Sequence, residues 1–146
     1  MSTLEYYKLI RNAVKLYKVD LVSLNCIGRS VEESDQDVDV PIYFQRDVKL
    51  LSSNKAEFLL RARIGSDNGP FLFEMAYKGL CVSAENLDKV QFEQYTYDQI
   101  VPLVLPYVRE CVASTMARMG LPIFTLPTID VLDTLEANFT SEENQE

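Results

Sequence analysis

The fold is decided by the stretch from residue 58 to residue 77, FLLRARIGSDNGPFLFEMAY. Its first part alternates between apolar and other side chains, which is the period of a half-buried β-strand. One face of this predicted strand holds Phe58, Leu60, Ala62 and Ile64. The sequence Ser-Asp-Asn-Gly at residues 66–69 is typical of a tight hairpin turn, because Asn-Gly tolerates positive φ at both central positions. A long strand over residues 70–84 completes an antiparallel hairpin.

Two further strands are predicted before this hairpin. Residues 38–52 alternate cleanly, with an apolar phase through Val38, Val40, Ile42, Phe44, Val48 and Leu50. An earlier strand runs from about Val14 to Ile27, with a β-bulge near Lys18, where the alternation fails. The acidic residues 28–39 between them are interpreted as a solvated loop, since the glycine and closing glutamate of an EF-hand are missing.

Helical spacing is found at both ends of the chain. Residues 2–12 hold apolar side chains at helical spacing behind Ser2 or Thr3 as a cap, which predicts a short helix. Residues 84–99 are interpreted as a connecting segment with one helical turn. Since proline is tolerated only in the opening turn, Pro102 and Pro106 predict that the long helix starts near residues 103–105 and ends at Gly120.

The end of the chain is predicted to hold an apolar arm and a second helix. Residues 121–128 form an extended apolar segment with two prolines, and Asp130 caps a helix over residues 130–139. Together these patterns predict an α+β fold, in which a four-stranded antiparallel sheet carries a long and a short C-terminal helix on one face. The predicted single domain spans residues 1–139, with residues 1–13 as an additional helix and residues 140–146 as a disordered acidic tail.

The composition excludes several classes of function. Lys and Arg number 14 and Asp and Glu number 22, so the formal net charge is −8, and histidine is absent. An acidic chain is a poor match for nucleic acid or an anionic membrane surface. Without histidine there is no Ser-His-Asp or Cys-His catalysis and no His-ligated zinc, so no metal or cofactor is expected.

The three cysteines and the N-terminus point to the cytoplasm. Cys26, Cys81 and Cys111 are an odd number without a CxxC pair, and each lies in an apolar stretch, which favours buried free thiols. Free thiols suit a reducing compartment. The first residues do not resemble a signal peptide, and no apolar run is as long as a membrane span.

The long helix has apolar residues around much of its circumference, more than one sheet face needs. It is predicted either to be simply well buried or to contact another subunit as well, and the second reading is preferred. The predicted oligomer interface consists of Val108, Val112, Ala113, Met116 and Ala117. The late apolar arm with its following helix is predicted either to close the protein's own core or to border a groove for apolar peptide.

A family resemblance narrows these alternatives. Residues 105–112, LPYVRECV, continue through ASTMARMG to Leu121 and Pro122, and residues 71–75 read FLFEM. This pattern resembles the bacterial protein-export chaperone SecB over roughly residues 14–139. The resemblance implies a sheet with a crossover connection and a dimer of dimers, in which first strands pair and long helices pack between two sheets. It also implies ATP-independent binding of unfolded polypeptide, which is delivered to the translocase motor SecA.

The resemblance also places functional residues. By position, the client-peptide groove comprises Ile42, Tyr43, Phe44, Ile123, Phe124, Leu126, Leu132, Leu135 and Phe139. The resemblance implies that SecA contacts an acidic patch on the exposed face of the sheet, which here comprises Asp20, Leu72 and Glu74. Leu24 stands where the family has an acidic residue and interrupts this patch. This departure, the N-terminal helix and the acidic loop favour a divergent member, and the alternative within the class is a SecB-like chaperone that stabilises the antitoxin of a toxin–antitoxin system.

Two other classes of protein compete with this prediction. A carboxylate-dependent enzyme would use Asp20 with Glu74, or Arg109 with Glu110, as a site pair. A purely structural oligomer would have no client at all. The preferred reading is a non-enzymatic, cytoplasmic holdase, because holding an unfolded chain requires apolar surface and no bond chemistry.

Overall fold

The structure is a computed structural model that describes residues 2–28, 40–84 and 86–120. A helix, α1, spans Thr3–Ala13 and leads directly into strand β1, Val14–Gly28. Strands β2, Ile42–Leu50, β3, Lys55–Gly65, and β4, Phe71–Ser83, follow, and a long helix, α2, spans Lys89–Arg118.

The four strands form one antiparallel sheet in the order β1-β4-β3-β2. Strands β2, β3 and β4 are successive hairpins, whereas β1 pairs with β4 at the far edge, so the connection from β1 to β2 crosses the sheet. This topology confirms the predicted α+β class. Residues 29–39 of the predicted acidic loop lie outside the described residues, as do the arm, the short second helix and the acidic tail, whereas Gly28 ends β1.

The two faces of the sheet differ in what covers them. Along β4, alternate side chains from Phe71 to Cys81 are buried, and the Tyr77 hydroxyl on this side donates to the carbonyl of Tyr107 in α2 at 3.1 Å. We call this side the helix face and the opposite side the open face. The helix face and α2 together form the core, whose largest fully buried side chains include Phe58, Leu60, Ile64, Phe73, Val104 and Val108.

Strand β1 contains two register irregularities against β4. One lies between Leu16 and Lys18, which confirms the predicted bulge, and the other lies between Leu21 and Ser23. A bulge inserts one extra residue and reverses the side-chain phase that follows it. The second bulge was not predicted, because the stretch from Leu21 to Leu24 contains three apolar residues and no clear alternation.

The turn between β3 and β4 forms as predicted, but its backbone differs. The Gly69 N–H donates to the Ser66 carbonyl at 3.1 Å, so Gly69 is the last residue of the turn. Positive φ falls instead on Gly65, at 101°, where an added Cβ would lie 2.2 Å from the Phe71 carbonyl oxygen. The prediction of positive φ at Asn-Gly is therefore wrong for Gly69, because the strand-closing Gly65 makes the tight approach.

Helix α2 begins much earlier than predicted. Asp88 caps it by accepting from the Gln91 N–H at 2.8 Å, and Pro102 and Pro106 lie inside the helix. An interior proline costs about 3 kcal/mol because it removes a backbone hydrogen bond and crowds the preceding turn. Tertiary burial offsets this cost, since the first half of α2 buries Phe92, Thr96, Asp98, Gln99, Ile100 and Val101.

Because residues 89–118 form one helix, α2 is long and apolar enough to cross a membrane by length and composition. The expectation that no apolar segment is as long as a membrane span is therefore wrong for residues 89–118. Of its most apolar window, 44% is buried inside the protein, where α2 packs along the helix face of the sheet. This packing is typical of a core helix.

The N-terminal helix α1 is confirmed, and it is anchored to α2. Ser2 caps α1 by accepting from the Glu5 N–H at 3.2 Å, and Ile10 is fully buried. The Tyr6 hydroxyl donates to Asp98 at 2.5 Å, and the Gln94 amide donates to the same carboxylate at 3.1 Å. Asp98 is buried, so these donors replace the water that its carboxylate lost on folding.

The cysteines occupy three environments. Cys81 and Cys111 are buried free thiols, as predicted, whereas Cys26 is only half-buried. Burial raises the pKa of Cys81 to about 12, which keeps it a neutral thiol at physiological pH. These thiols therefore act as small apolar side chains within the core.

We expect Tyr6→Phe to lower the free energy of unfolding by about 1–3 kcal/mol, because it removes a hydrogen bond from the buried Asp98 carboxylate. Burial and the neighbouring Asp98 raise the Tyr6 pKa well above its usual range, and they raise that of Tyr7 to about 12. A raised tyrosine pKa means that stability is fully present below about pH 10 and falls as the pH rises further.

Urea denaturation at about pH 7 and at about pH 11 measures both effects. The wild type should lose stability at the higher pH, and Tyr6→Phe should lose less between the two conditions. The matched control is Tyr17→Phe, since Tyr17 is largely exposed and its hydroxyl forms no hydrogen bond with the described residues. Equal stability of the two variants would contradict the proposed anchor.

Candidate polypeptide-binding surface

Helix α2 covers the centre of the helix face and leaves both of its edges only half-covered. The edge on β2 holds four half-buried apolar side chains, which we call the β2 strip: Ile42, Phe44, Val48 and Leu50. The edge on β1 holds a second row, which we call the β1 strip: Val19, Leu21, Leu24 and Cys26. Leu21 and Leu24 are 44% and 41% exposed, so this strip offers apolar surface for a further contact.

Each strip lies beside an open strand edge. Within the ranges that the structure describes, no strand pairs with the outer side of β1 or of β2. An unpaired edge presents a row of N–H and C=O groups that an extended peptide can use for main-chain hydrogen bonds. Apolar side chains next to such an edge would bury alternate side chains of the same peptide. The arrangement suits an extended apolar polypeptide.

A polar contact divides the β2 strip at its middle, between Phe44 and Val48. Arg46, also on the helix face of β2, donates to the Tyr97 carbonyl at 3.1 Å and lies 4.1 Å from the centre of the Tyr97 ring. A groove of about 590 Å³ lies at this point between β2 and the first turns of α2, and its apolar lining includes Val48 and Val90. The Arg46–Tyr97 contact therefore ties the edge strand to the helix beside the strip.

The predicted client-groove residues do not all lie together. Ile42 and Phe44 belong to the β2 strip, but Tyr43 points to the open face and is 66% exposed. Neighbouring strand residues point to opposite sides, so the three could not share one groove. The remaining predicted groove residues, Ile123, Phe124, Leu126, Leu132, Leu135 and Phe139, lie outside the described residues.

The predicted oligomer-interface residues also divide into two groups. Val108, Val112 and Met116 are buried within the chain's own core, which leaves these three side chains almost no surface for another subunit. Ala113 and Ala117 are exposed on the outer side of α2. The sequence pattern did not separate these sides, because apolar residues surround most of the helix.

The open face is not the acidic surface that the resemblance implies. The strand register places seven basic side chains there, Lys15, Lys18, Lys49, Lys55, Arg61, Arg63 and Lys78. It places only four acidic ones there, Asp20, Asp47, Glu57 and Glu74. The described strands therefore give this face a surplus of three positive charges, while twelve of the 22 acidic residues of the chain lie outside the described residues.

Asp20 and Glu74 are both exposed on this face, but they do not form a carboxylate pair. The row that joins Ser23 to Ala76 lies between them, and Asp20 forms an ion pair with Lys18 at 3.3 Å. Paired carboxylates share acid–base work only when they face one substrate at close range. This geometry does not supply the site that the enzyme alternative requires at these two residues.

Leu72, the third residue of the predicted SecA-contact face, and Leu24, where the family has an acidic residue, are placed differently from the expectation. Leu72 belongs to the open-face row but is only 4% exposed, so it is not an exposed contact residue. Leu24 does not interrupt the row of Asp20, because the second bulge turns Leu24 to the helix face, opposite Met75. The residues after Asp20 that pair with β4 on the open face are instead Ser23 and Asn25.

The half-covered strips were only partly visible in the sequence. The alternation through Val48 and Leu50 indicated the β2 strip, whereas Leu21 and Leu24 were not identified as binding residues. Their exposure depends on where α2 crosses the sheet, and the sequence of β1 carries no signal for that. The surplus of positive charge on the open face likewise requires the strand register.

The fold and its open edges define the class of protein. It is an α+β protein in which a long helix packs on one face of an antiparallel sheet. No protein-family model matches the sequence, and no curated protein matches it. Among solved structures, the SecB-like chaperone Rv1957 of Mycobacterium tuberculosis, in complex with a ChAD peptide from the HigA1 antitoxin, matches with a TM-score of 0.66 and 14% identity. The match covers 86% of this chain and 98% of that chain, so this protein has the SecB-like fold.

A protein of unknown function from Streptococcus agalactiae also matches, with a TM-score of 0.46 and 12% identity. That match covers 77% of this chain and 95% of the other.

Proposed function

We propose that this protein is a SecB-like, ATP-independent chaperone that holds non-native polypeptide. The observation that carries the proposal is the shared fold with a chaperone that was solved with a peptide bound. The β1 and β2 strips support it, because they combine uncovered apolar surface with open strand edges on one side of the sheet. Apolar burial contributes about 25 cal/mol per Å², and edge pairing adds main-chain hydrogen bonds.

We propose an antitoxin, rather than an export preprotein, as the client. The structural neighbour is a SecB-like chaperone in complex with a peptide from an antitoxin. The open face of this chain supports the same choice. The resemblance to SecB associates SecA binding with an acidic surface, whereas the strands of this chain place a surplus of positive charge there. Delivery to SecA would require that contact, so export is the less supported of the two roles.

We further propose that the chaperone is a cytoplasmic homo-oligomer. The open edge of β1 suits pairing with a second copy, which leaves the edge of β2 for main-chain pairing with a client. Ala113 and Ala117 leave room for a close helix on the outer side of α2. Multi-angle light scattering tests this assembly, with a dimer or tetramer as the expected result and a strict monomer as the contrary one.

The function is tested by holding an unfolded client in solution without nucleotide. We expect the purified chain to suppress aggregation of an antitoxin that precipitates on its own, and to co-purify with it when the two are co-expressed. Light scattering measures how far aggregation is suppressed. Isothermal titration calorimetry measures the affinity for SecA, which the competing export role requires. A denatured preprotein serves as the comparison client.

Two results would overturn parts of this proposal. If a molar excess of the protein suppresses aggregation of neither the antitoxin nor the preprotein, the proposed holdase function is wrong. Tight SecA binding together with preference for the preprotein would replace the antitoxin role with export.

A further inference from the structure

A concave pocket of about 740 Å³ lies on the open face, and residues from all four strands line it. Its polar lining includes Arg61 and Arg63 on β3, Glu74 on β4, Asn25 on β1 and Gln45 on β2. Leu59 and Ala76 contribute apolar surface between them. The pocket lies on the side of the sheet opposite the β2 strip, so occupation of one site leaves the other accessible.

The charges in this pocket are unbalanced. Within the described part of the chain, Arg61 forms no ion pair, and Arg63 contacts only Asp67, at 3.3 Å. Both partners of the latter pair are largely exposed, and exposed ion pairs contribute little, so a new carboxylate can replace Asp67 at small cost. Among the residues that the structure describes, Glu74 is the only acidic side chain that lines the pocket. The two guanidinium groups are therefore available to an anionic partner.

We propose that this pocket binds an acidic segment of a partner polypeptide, at a second site separate from the client-holding strips. Arginine recognises carboxylate with two parallel N–H donors, which a carboxylate of glutamate or aspartate matches. The side-chain amides of Asn25 and Gln45 can pair with peptide N–H and C=O groups, and Leu59 and Ala76 can contact small apolar side chains. A pocket with these three kinds of groups matches a peptide better than a uniformly charged polymer.

The position of the two arginines strengthens this assignment. They are two residues apart on β3, so they lie on the same face and about 7 Å apart along the strand. An extended acidic peptide with carboxylates at alternate residues presents its charges at the same spacing. Glu74 lies opposite Arg63 on the neighbouring strand and would repel a peptide carboxylate placed close to it. This repulsion favours a path in which the peptide carboxylate nearest to β4 contacts Arg61.

The test uses a fluorescein-labelled peptide in which glutamate alternates with alanine and leucine, and the full-length protein. We expect saturable binding by fluorescence anisotropy that weakens as salt rises. The Arg61→Glu/Arg63→Glu variant should bind about tenfold or more weakly, because charge reversal replaces two attractions by repulsions. Its suppression of client aggregation should stay at the wild-type level, which separates this proposal from the proposed function.

The matched control is Lys49→Glu/Lys55→Glu, which changes the charge of the same face by the same amount outside the pocket lining. It should change the affinity by about threefold or less. A circular dichroism melt of the Arg61→Glu/Arg63→Glu variant checks that charge reversal leaves the sheet folded. The milder variant Arg61→Gln/Arg63→Gln removes both charges without reversing them, and we expect it to show a smaller but clear loss of binding.

Three results would overturn the proposal. The first is no binding of the acidic peptide, and the second is an equal loss in the pocket and control variants. The third is a preference for a lysine peptide or for a single-stranded RNA over the acidic peptide, which would assign the surface to a different partner.

Discussion

Replacing Gly79 by alanine is expected to lower the free energy of unfolding by about 3 kcal/mol or more. Gly79 lies in the middle of β4, opposite Val19 on one side and Phe58 on the other. An added Cβ would lie 2.2 Å from the Lys18 carbonyl oxygen and 2.6 Å from the Phe58 ring. The carbonyl belongs to the backbone of the first bulge in β1, so it cannot move aside as a flexible side chain can.

Urea denaturation measures this effect, and the fraction of protein recovered in soluble form is a second readout. The matched control is Gly69→Ala, where the nearest atom to an added Cβ is the Ser66 hydroxyl oxygen at 3.0 Å and the φ angle is not positive. A Gly79→Ala variant within about 0.5 kcal/mol of the wild type would show that β1 can shift without cost, and that the bulge does not depend on this glycine.

Phe44→Gln is expected to weaken client binding by about tenfold, because full burial of a phenylalanine contributes about 1.5–3 kcal/mol. Phe44 belongs to the β2 strip, where its half-buried side chain packs against the core and leaves part of its ring for a client. Fluorescence anisotropy with a labelled unfolded peptide measures the affinity. Suppression of aggregation by the same variant is the functional readout.

The neighbouring residue provides the control for this prediction. Tyr43→Gln removes an aromatic ring of similar size from the same strand, but on the opposite side of the sheet. We expect it to leave client binding nearly unchanged. A thermal melt of both variants excludes loss of folding as the cause, and Phe44→Leu should retain most of the affinity. Equal effects of Phe44→Gln and Tyr43→Gln would contradict the assignment of the client site to the helix face.

These two predictions rest on different kinds of knowledge. The alternation in β2 and β3 predicts which residues share a face, so Phe44 and Tyr43 could be separated from the sequence once strict alternation was applied. The role of Gly79 could not, because a glycine in a strand signals only that something lies close. What lies close is a carbonyl from another strand, about 60 residues earlier in the chain.

The same division applies to the candidate site. The sequence predicted an apolar long helix, and the structure shows that Val108, Val112 and Met116 are buried in the chain's own core, whereas Ala113 and Ala117 are exposed. The charge of the chain was known from composition alone, but its distribution was not. The acidic surface predicted near Asp20 is a mixed face with a positive surplus, because the register brings the arginines of β3 and the lysines of β1 and β4 together.

By itself the sequence determined the number of strands, the helix that precedes them, the turn at residues 66–69 and the α+β class, since periodicity and capping act over a few neighbouring residues. Only the tertiary structure decided three things: the side to which Leu24 points, the start of α2 at Lys89 despite two prolines, and the edges that α2 leaves uncovered. Each of these depends on contacts between distant segments, whose burial energy outweighs local preference.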